Sequence, residues 1–218
     1  MFQTNYQYIN RETKATYVWM KYQTLFKDNI LDVGADQGFL KQHLPVNTKY
    51  VSIGLGSTAI DIEIDLEKEK IPFDNGSFEC VLCLDVLEHL DNLHKVFYEL
   101  CRVTKNYVII SLPNPYLAFL NMLLKGQYKQ DQPMKFYGLP NDKPIDRHKW
   151  FFSSREAENF LRHQAKINNM KVVQIDFDGI FDLGFIKRYM LQKLVHPSND
   201  FNLILKGTCW AVLQKNTK

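Results

Sequence analysis

Two hydrophobic periods alternate along the chain. From Tyr6 to Phe26, apolar and aromatic positions (Tyr8, Ile9, Tyr17, Val18, Tyr22, Leu25) recur at helical spacing and predict a leading amphipathic helix. Asn29-Ile30-Leu31-Asp32-Val33-Gly34 then reads as a short buried strand running into a glycine turn. A helix is expected from Phe39 to Leu44, stopped by Pro45. Tyr50 to Ile53 and Ile60 to Ile64 predict two further strands, joined by a connection too short for a regular crossover helix. The turn-rich Ile71-Pro72-Phe73-Asp74-Asn75-Gly76-Ser77 leads into the strongest strand signal, Phe78 to Leu84.

A helix over Asn92 to Val103 presents Leu93, Val96, Phe97 and Leu100 on one face. Tyr107 to Leu112 is the next strand, ended by Pro113-Asn114-Pro115. The pattern breaks from Tyr116 to Trp150, where a short apolar helix gives way to a Gly- and Pro-punctuated stretch, either a lid or a linker. Regularity returns with a helix capped by Ser153 or Ser154 and carrying Glu156 and Glu158 in its first turn. Val172 to Phe177 predicts a strand, and Phe201 to Leu213 a last one kinked at Gly207. Alternation of this kind specifies an α/β fold, a doubly wound and mostly parallel sheet with ligands at the carboxyl ends of its strands. We expect one domain over 1–218, with an N-terminal helix within 1–28 and a substrate-side lid over 115–150.

Composition narrows the class. Hydrophobic residues make up 45% of the chain, which excludes wholesale disorder. A net charge of +3 is far from the basic stripe of a dedicated nucleic-acid binder. Cys80 and Cys83 form a C-x-x-C inside a strand, where the two thiols point to opposite faces, so buried thiols are expected rather than a redox or metal pair. No apolar run approaches the roughly 20 residues of a membrane helix, and the first residues lack the profile of a signal peptide. The expectation is a soluble, cytoplasmic protein.

The glycine turn carries the first chemistry. Asp32 and Asp36 bracket Gly34, and the turn holds no Lys, Arg or hydroxyl. Two anions would repel a pyrophosphate, and neither a G-K-[ST] nor the third glycine of a dinucleotide loop is present. A carboxylate at the strand end suits a cationic ligand with an amino group, such as S-adenosylmethionine.

Ile30-Leu31-Asp32-Val33-Gly34-x-x-x-Gly38, Ile71-Pro72-Phe73-Asp74-x-x-Ser77-Phe78-Glu79-x-Val81 and Asp85-Val86-Leu87-Glu88-His89-Leu90 resemble class I S-adenosylmethionine-dependent methyltransferases, in particular the group with ubiquinone-biosynthesis O-methyltransferases. The resemblance runs from Asn29 to the C-terminus. It implies a seven-stranded Rossmann-like sheet with an antiparallel last strand. It also implies that Asp32, Gly34, Ala35 and Gly38 shape the pocket for the methionine part of the cofactor. Asp65 and Leu66 then meet the adenine, and Leu84 and Asp85 wall the methionine moiety. One departure stands out: the family's acid after the second strand, which holds the ribose, is replaced by Ile53-Gly54-Leu55-Gly56. Either Asp61 reaches in or the cofactor is held less tightly.

Asp85, Glu88 and His89 stand at i, i+3 and i+4 beyond a strand end, and one turn of helix would place all three on one face. Such a set suits a divalent cation or a general base. Equally, Glu88 can cap backbone amides while His89 packs under the next helix. Pro113-Asn114-Pro115 and Asp146-Arg147-His148-Lys149-Trp150-Phe151 resemble plant small-RNA 2′-O-methyltransferases, which implies a metal held by Asp85, Glu88, His89 and His148. The expectation is S-adenosylmethionine-dependent methylation of a small-molecule acceptor, on oxygen, with Glu88, His89 and His148 as catalytic residues. A non-catalytic scaffold built on the same fold, and RNA 2′-O-methylation, are the rival readings. Leu117 to Leu124 is expected to pack over the active site, and Lys187, Arg188 and Lys193 to form a solvated helix face.

Overall fold

The computed structural model describes residues 1–125, 136–139, 141–144, 146–179, 182, 184–194 and 201–216. Its strands are β1 (Asn29–Val33), β2 (Lys49–Gly54), β3 (Ile62–Glu63), β4 (Phe78–Leu84), β5 (Thr104–Leu112), β6 (Met170–Phe177) and β7 (Cys209–Lys215). They form one seven-stranded sheet in the order β3-β2-β1-β4-β5-β7-β6. β7 runs antiparallel to β5 and β6, and the remaining pairs are parallel. This is the doubly wound, Rossmann-like sheet that the sequence predicts. The strand order reverses at β1 and β4, so a crevice opens at their carboxyl ends.

The helices are α1 (Arg11–Tyr22), α2 (Leu93–Val103), α3 (Pro115–Lys125), α4 (Ser154–Ile167), α5 (Phe185–Leu194) and α6 (Phe201–Ile204). Two cores flank the sheet. On one face Val81, Cys83, Val108 and Ile110 pack with Phe97 and Leu100 of α2 and Leu161 of α4. On the other, Ile30, Cys80, Leu82, Ile109 and Trp210 pack with Tyr17, Val18 and Tyr22 of α1. Cys80 and Cys83 thus fall on opposite faces, both fully buried, and burial pushes both thiols up. Among the described residues no helix is long and apolar enough to cross a membrane.

Several boundaries differ from expectation. The leading helix starts at Arg11 rather than Tyr6, because the Asn10 side chain accepts from the Thr13 amide and closes a capping box. The preceding residues run as a strap, with the Phe2 backbone N–H and C=O both bonded to the Gln174 side-chain amide at 2.8 Å. Phe39–His43 is a short 3-10 helix, and β3 is only two residues long. The expected last strand from Phe201 is instead α6 followed by β7. Gly207 between them packs against Asp178, whose Oδ1 would lie 2.0 Å from an added Cβ. α3 opens the expected lid, and residues 126–135 of that stretch lie outside the described residues.

Candidate functional site

The glycine turn folds as it does because its backbone demands it. Gly34 has φ +77°, and an added Cβ would sit 2.2 Å from Val86 Cγ2. Its N–H donates to Ile53 C=O at 2.7 Å, tying the end of β1 to β2. Asp32, the last but one residue of β1, is buried, and the Tyr50 hydroxyl donates to its Oδ2 at 2.6 Å. Desolvation pushes this carboxyl up to about 6, with the Tyr50 bond pulling the other way.

Beside the turn lies a cavity of about 310 Å³ whose walls include Asp32, Gly34, Ala35, Leu84 and Asp85. A second, of about 460 Å³, is lined by Gly54, Leu55, Gly56, Asp65 and Leu66. The two share Arg11, Gly34, Asp36, Asp85 and His89, so they form one bent trough over the carboxyl edge. Of the sequence-predicted cofactor residues only Gly38 lines neither part; with φ +64° it starts the 3-10 helix behind the turn. Asp61 does not reach in either, because its Oδ2 accepts from both the N–H and the hydroxyl of Ser52 at 2.8 Å.

Sequence reasoning missed two cations. Arg11 of α1 pairs with Asp36, and Lys14, one turn on, pairs with Asp85 and lies 4.9 Å from the centre of the Trp210 ring. The i, i+3 spacing of Arg11 and Lys14 was the available signal, masked by the aromatic pattern of the same helix. The trough therefore offers carboxylates and cations side by side, which complements a zwitterionic amino acid moiety.

The second constellation assembles without Asp85. Asp85 has φ +53° and Leu87–His89 is 3-10, so the expected common helical face does not form. The Asp85 carboxylate turns to Lys14 and accepts from the Ser111 hydroxyl at 2.6 Å. Glu88, His89 and His148 do converge, with one potential ligand atom of each within 4.8 Å of the others. His89 Nε2 and His148 Nε2 lie 3.8 Å and 4.0 Å from Glu88 Oε1. The far ring nitrogens are engaged elsewhere: His89 Nδ1 with Asp146 at 2.6 Å, and His148 Nδ1 with the Tyr137 hydroxyl at 2.9 Å. Phe136 stacks on the His148 ring at 4.1 Å.

Glu88 is fully buried, and neither carboxylate oxygen has a hydrogen-bond partner among the described residues. Desolvation and the nearby Asp85 push its carboxyl well above the usual range. The capping role open to Glu88 from sequence is not what it does. On its other side lies an apolar cavity of about 190 Å³ walled by Leu87, Leu112, Trp150, Phe151 and Phe160. A dry cavity of about 150 Å³ holds a benzene ring, so this one accommodates a small apolar group.

Residues 10–172 match a family model described as a methyltransferase domain. No curated protein matches the chain at a significant level. Among solved structures, the chain is similar to a SAM dependent methyltransferase from Archaeoglobus fulgidus, with a TM-score of 0.62 and 15% identity, covering 94% of this chain and 95% of that one. It is also similar to the methyltransferase domain of bacterial CtHen1-C (TM-score 0.58, 13% identity, 95% of this chain and 100% of that one). The small RNA methyltransferase HEN1 is a third (TM-score 0.59, 13% identity, 99% of this chain and 27% of that one). At such identities the likeness speaks for the fold alone.

Proposed function

Because the chain belongs to the family of methyltransferase domains, we propose that it transfers a methyl group from S-adenosylmethionine to a hydroxyl oxygen of a small molecule. One observation carries the oxygen assignment: Glu88 is buried with both carboxylate oxygens unpartnered among the described residues, between the cofactor trough and an apolar cavity, with two imidazoles facing it. A group so placed accepts a proton from an acceptor hydroxyl without competition from water.

The trough residues fit the cofactor. Asp32 and Asp85 meet an ammonium, and Arg11 and Lys14 meet a carboxylate. Asp65 and Leu66 line the part that an adenosyl group would fill. S-adenosylmethionine supplies an electrophilic methyl on a sulfonium when bound. The chain's contribution is to hold the acceptor in line and to exclude water, and orientation of this kind can supply several orders of magnitude in rate. Glu88 takes the hydroxyl proton, with His89 and His148 orienting the carboxylate and sharing the charge.

The same three side chains fit a divalent cation. Glu88 oxygens without partners among the described residues and two Nε2 atoms facing them make a mixed carboxylate–imidazole set, suited to magnesium, manganese, iron or zinc. Such an ion lowers the pKa of a hydroxyl bound to it. Asp85 is not part of the set. A cytoplasmic enzyme acting on a small acceptor under a lid over 115–150 completes the proposal.

Calorimetry with S-adenosylmethionine tests the core of this reading: micromolar binding is expected, and none at millimolar ligand would favour a scaffold. An acceptor panel of phenols, sugars and 3′-terminal RNA oligonucleotides then tests the substrate. Methylation confined to RNA would overturn the small-molecule assignment.

A further inference from the structure

Two helices leave the carboxyl edge of the sheet on the far side of the cofactor trough, α3 after β5 and α5 after β6. β5 and β6 both run antiparallel to β7 between them, so both helices start at the edge where the trough opens. α3 turns Leu117, Ala118 and Asn121 toward a cavity at Pro113 and Tyr8. Its outer positions Tyr116, Phe119 and Leu123, spaced i, i+3, i+7, are 36%, 41% and 56% exposed.

α5 is more extreme. Phe185 is 85% exposed, Leu194 82% and Met190 62%, and none of its described side chains is buried. Lys187, Arg188 and Lys193 are its charged residues, and no acid occurs from Gly184 to Leu194. Lys193 Nζ sits 4.5 Å from the centre of the exposed Tyr189 ring. A ten-residue helix is marginal in water unless a face is buried. Aromatic and aliphatic side chains exposed together mark an interaction surface.

We propose that α5 docks on an anionic lipid bilayer. The charge pattern selects the occupant. Phe185, Tyr189, Met190 and Leu194 fall within about half of the helical circumference, with Lys193 inside that arc and Lys187 at its margin; long cationic side chains so placed reach past an apolar contact to the headgroups of an acidic leaflet. A second copy of this chain would bring like cations together in a two-fold contact. An RNA would gain stacking from Phe185 and Tyr189 but nothing from Met190, Leu194 and Leu123. The surface stands independently of the reaction proposed above, since it needs neither Glu88 nor the cofactor. Lys187, Arg188 and Lys193 are exposed, as the sequence leads one to expect, and the proposal gives that face a partner.

Vesicle flotation of the full chain tests it, comparing phosphatidylcholine alone with an equal mixture of phosphatidylcholine and phosphatidylglycerol. The protein should float with the mixed vesicles at low salt and not with the neutral ones. Lys187→Glu with Lys193→Glu should weaken binding about tenfold or more. Phe185→Ser with Leu194→Ser should weaken it independently, with circular dichroism and S-adenosylmethionine affinity unchanged because these side chains are exposed. No flotation with the mixed vesicles, or equal flotation of wild type and both variants, would overturn the proposal. So would a concentration-dependent dimer abolished by the Phe185/Leu194 variant.

Discussion

Lys14 of α1 holds the Asp85 carboxylate from across the trough, while the Ser111 hydroxyl donates to the other oxygen of the same group at 2.6 Å. Burial would push the Asp85 carboxyl up, but Lys14 and Ser111 outweigh it and hold the group below the usual carboxylate range. α1 thereby walls the trough. Lys14→Met should lower affinity for S-adenosylmethionine about tenfold or more, the scale of a lost charge-assisted bond. Calorimetry on the folded variant checks this; unchanged affinity would remove α1 from the site.

Asp32 makes the stability of the ligand-free protein depend on pH. Its carboxyl is held near 6 against an ordinary 3.8, so ionisation favours the unfolded chain. The contribution is fully present below about pH 4 and lost as pH rises through about 6, a change on the order of 3 kcal/mol. Asp32→Asn should flatten that part of the profile in urea titrations. Cofactor affinity should move the opposite way, rising with pH through about 6 as the carboxylate proposed to meet the ammonium forms.

Gly34→Ala should damage the turn twice, through the left-handed backbone and through the clash with Val86. The backbone alone costs about 1–2 kcal/mol. Gly38→Ala is the matched comparison: φ is +64°, but the nearest atom to an added Cβ is Ala59 O at 3.6 Å. Both variants should melt earlier in calorimetric scans, and only Gly34→Ala should lose S-adenosylmethionine binding.

Glu88→Met should stabilise the protein while abolishing turnover. It removes a buried carboxyl without partners among the described residues, and relief of that kind amounts to about 1–3 kcal/mol. Denaturant unfolding measures the gain. Added manganese should raise the melting temperature of the wild type and leave Glu88→Met unmoved; an equal shift in both would place the ion elsewhere.

Much of this was legible in the sequence, and the reasons are local. Cys80 to Leu84 of β4 and Tyr107 to Ile110 of β5 are continuous apolar runs because both their faces are covered. Ser153, one of the two caps expected for α4, closes a capping box with Glu156. Asp85 was misplaced because i, i+3, i+4 spacing implies a common face only in an α-helix, and its positive φ turns the chain the other way. α6 was taken for strand because four apolar-rich residues have no period of their own. The convergence of His148 on Glu88 is a long-range contact that spacing could not reveal; resemblance alone pointed to it.

The position of β7 between β5 and β6 has a consequence for synthesis. Among the described residues β6 has no other neighbour in the sheet, so it stays unpaired until the segment from Cys209 to Lys215 has left the ribosome. Trp210, which closes the core beneath α1, arrives with the same segment. Translation can therefore lay down β1 to β5, but the fold cannot close vectorially from the N-terminus. The nascent chain carries an open edge on β5, exposed to aggregation, until its last strand slots in.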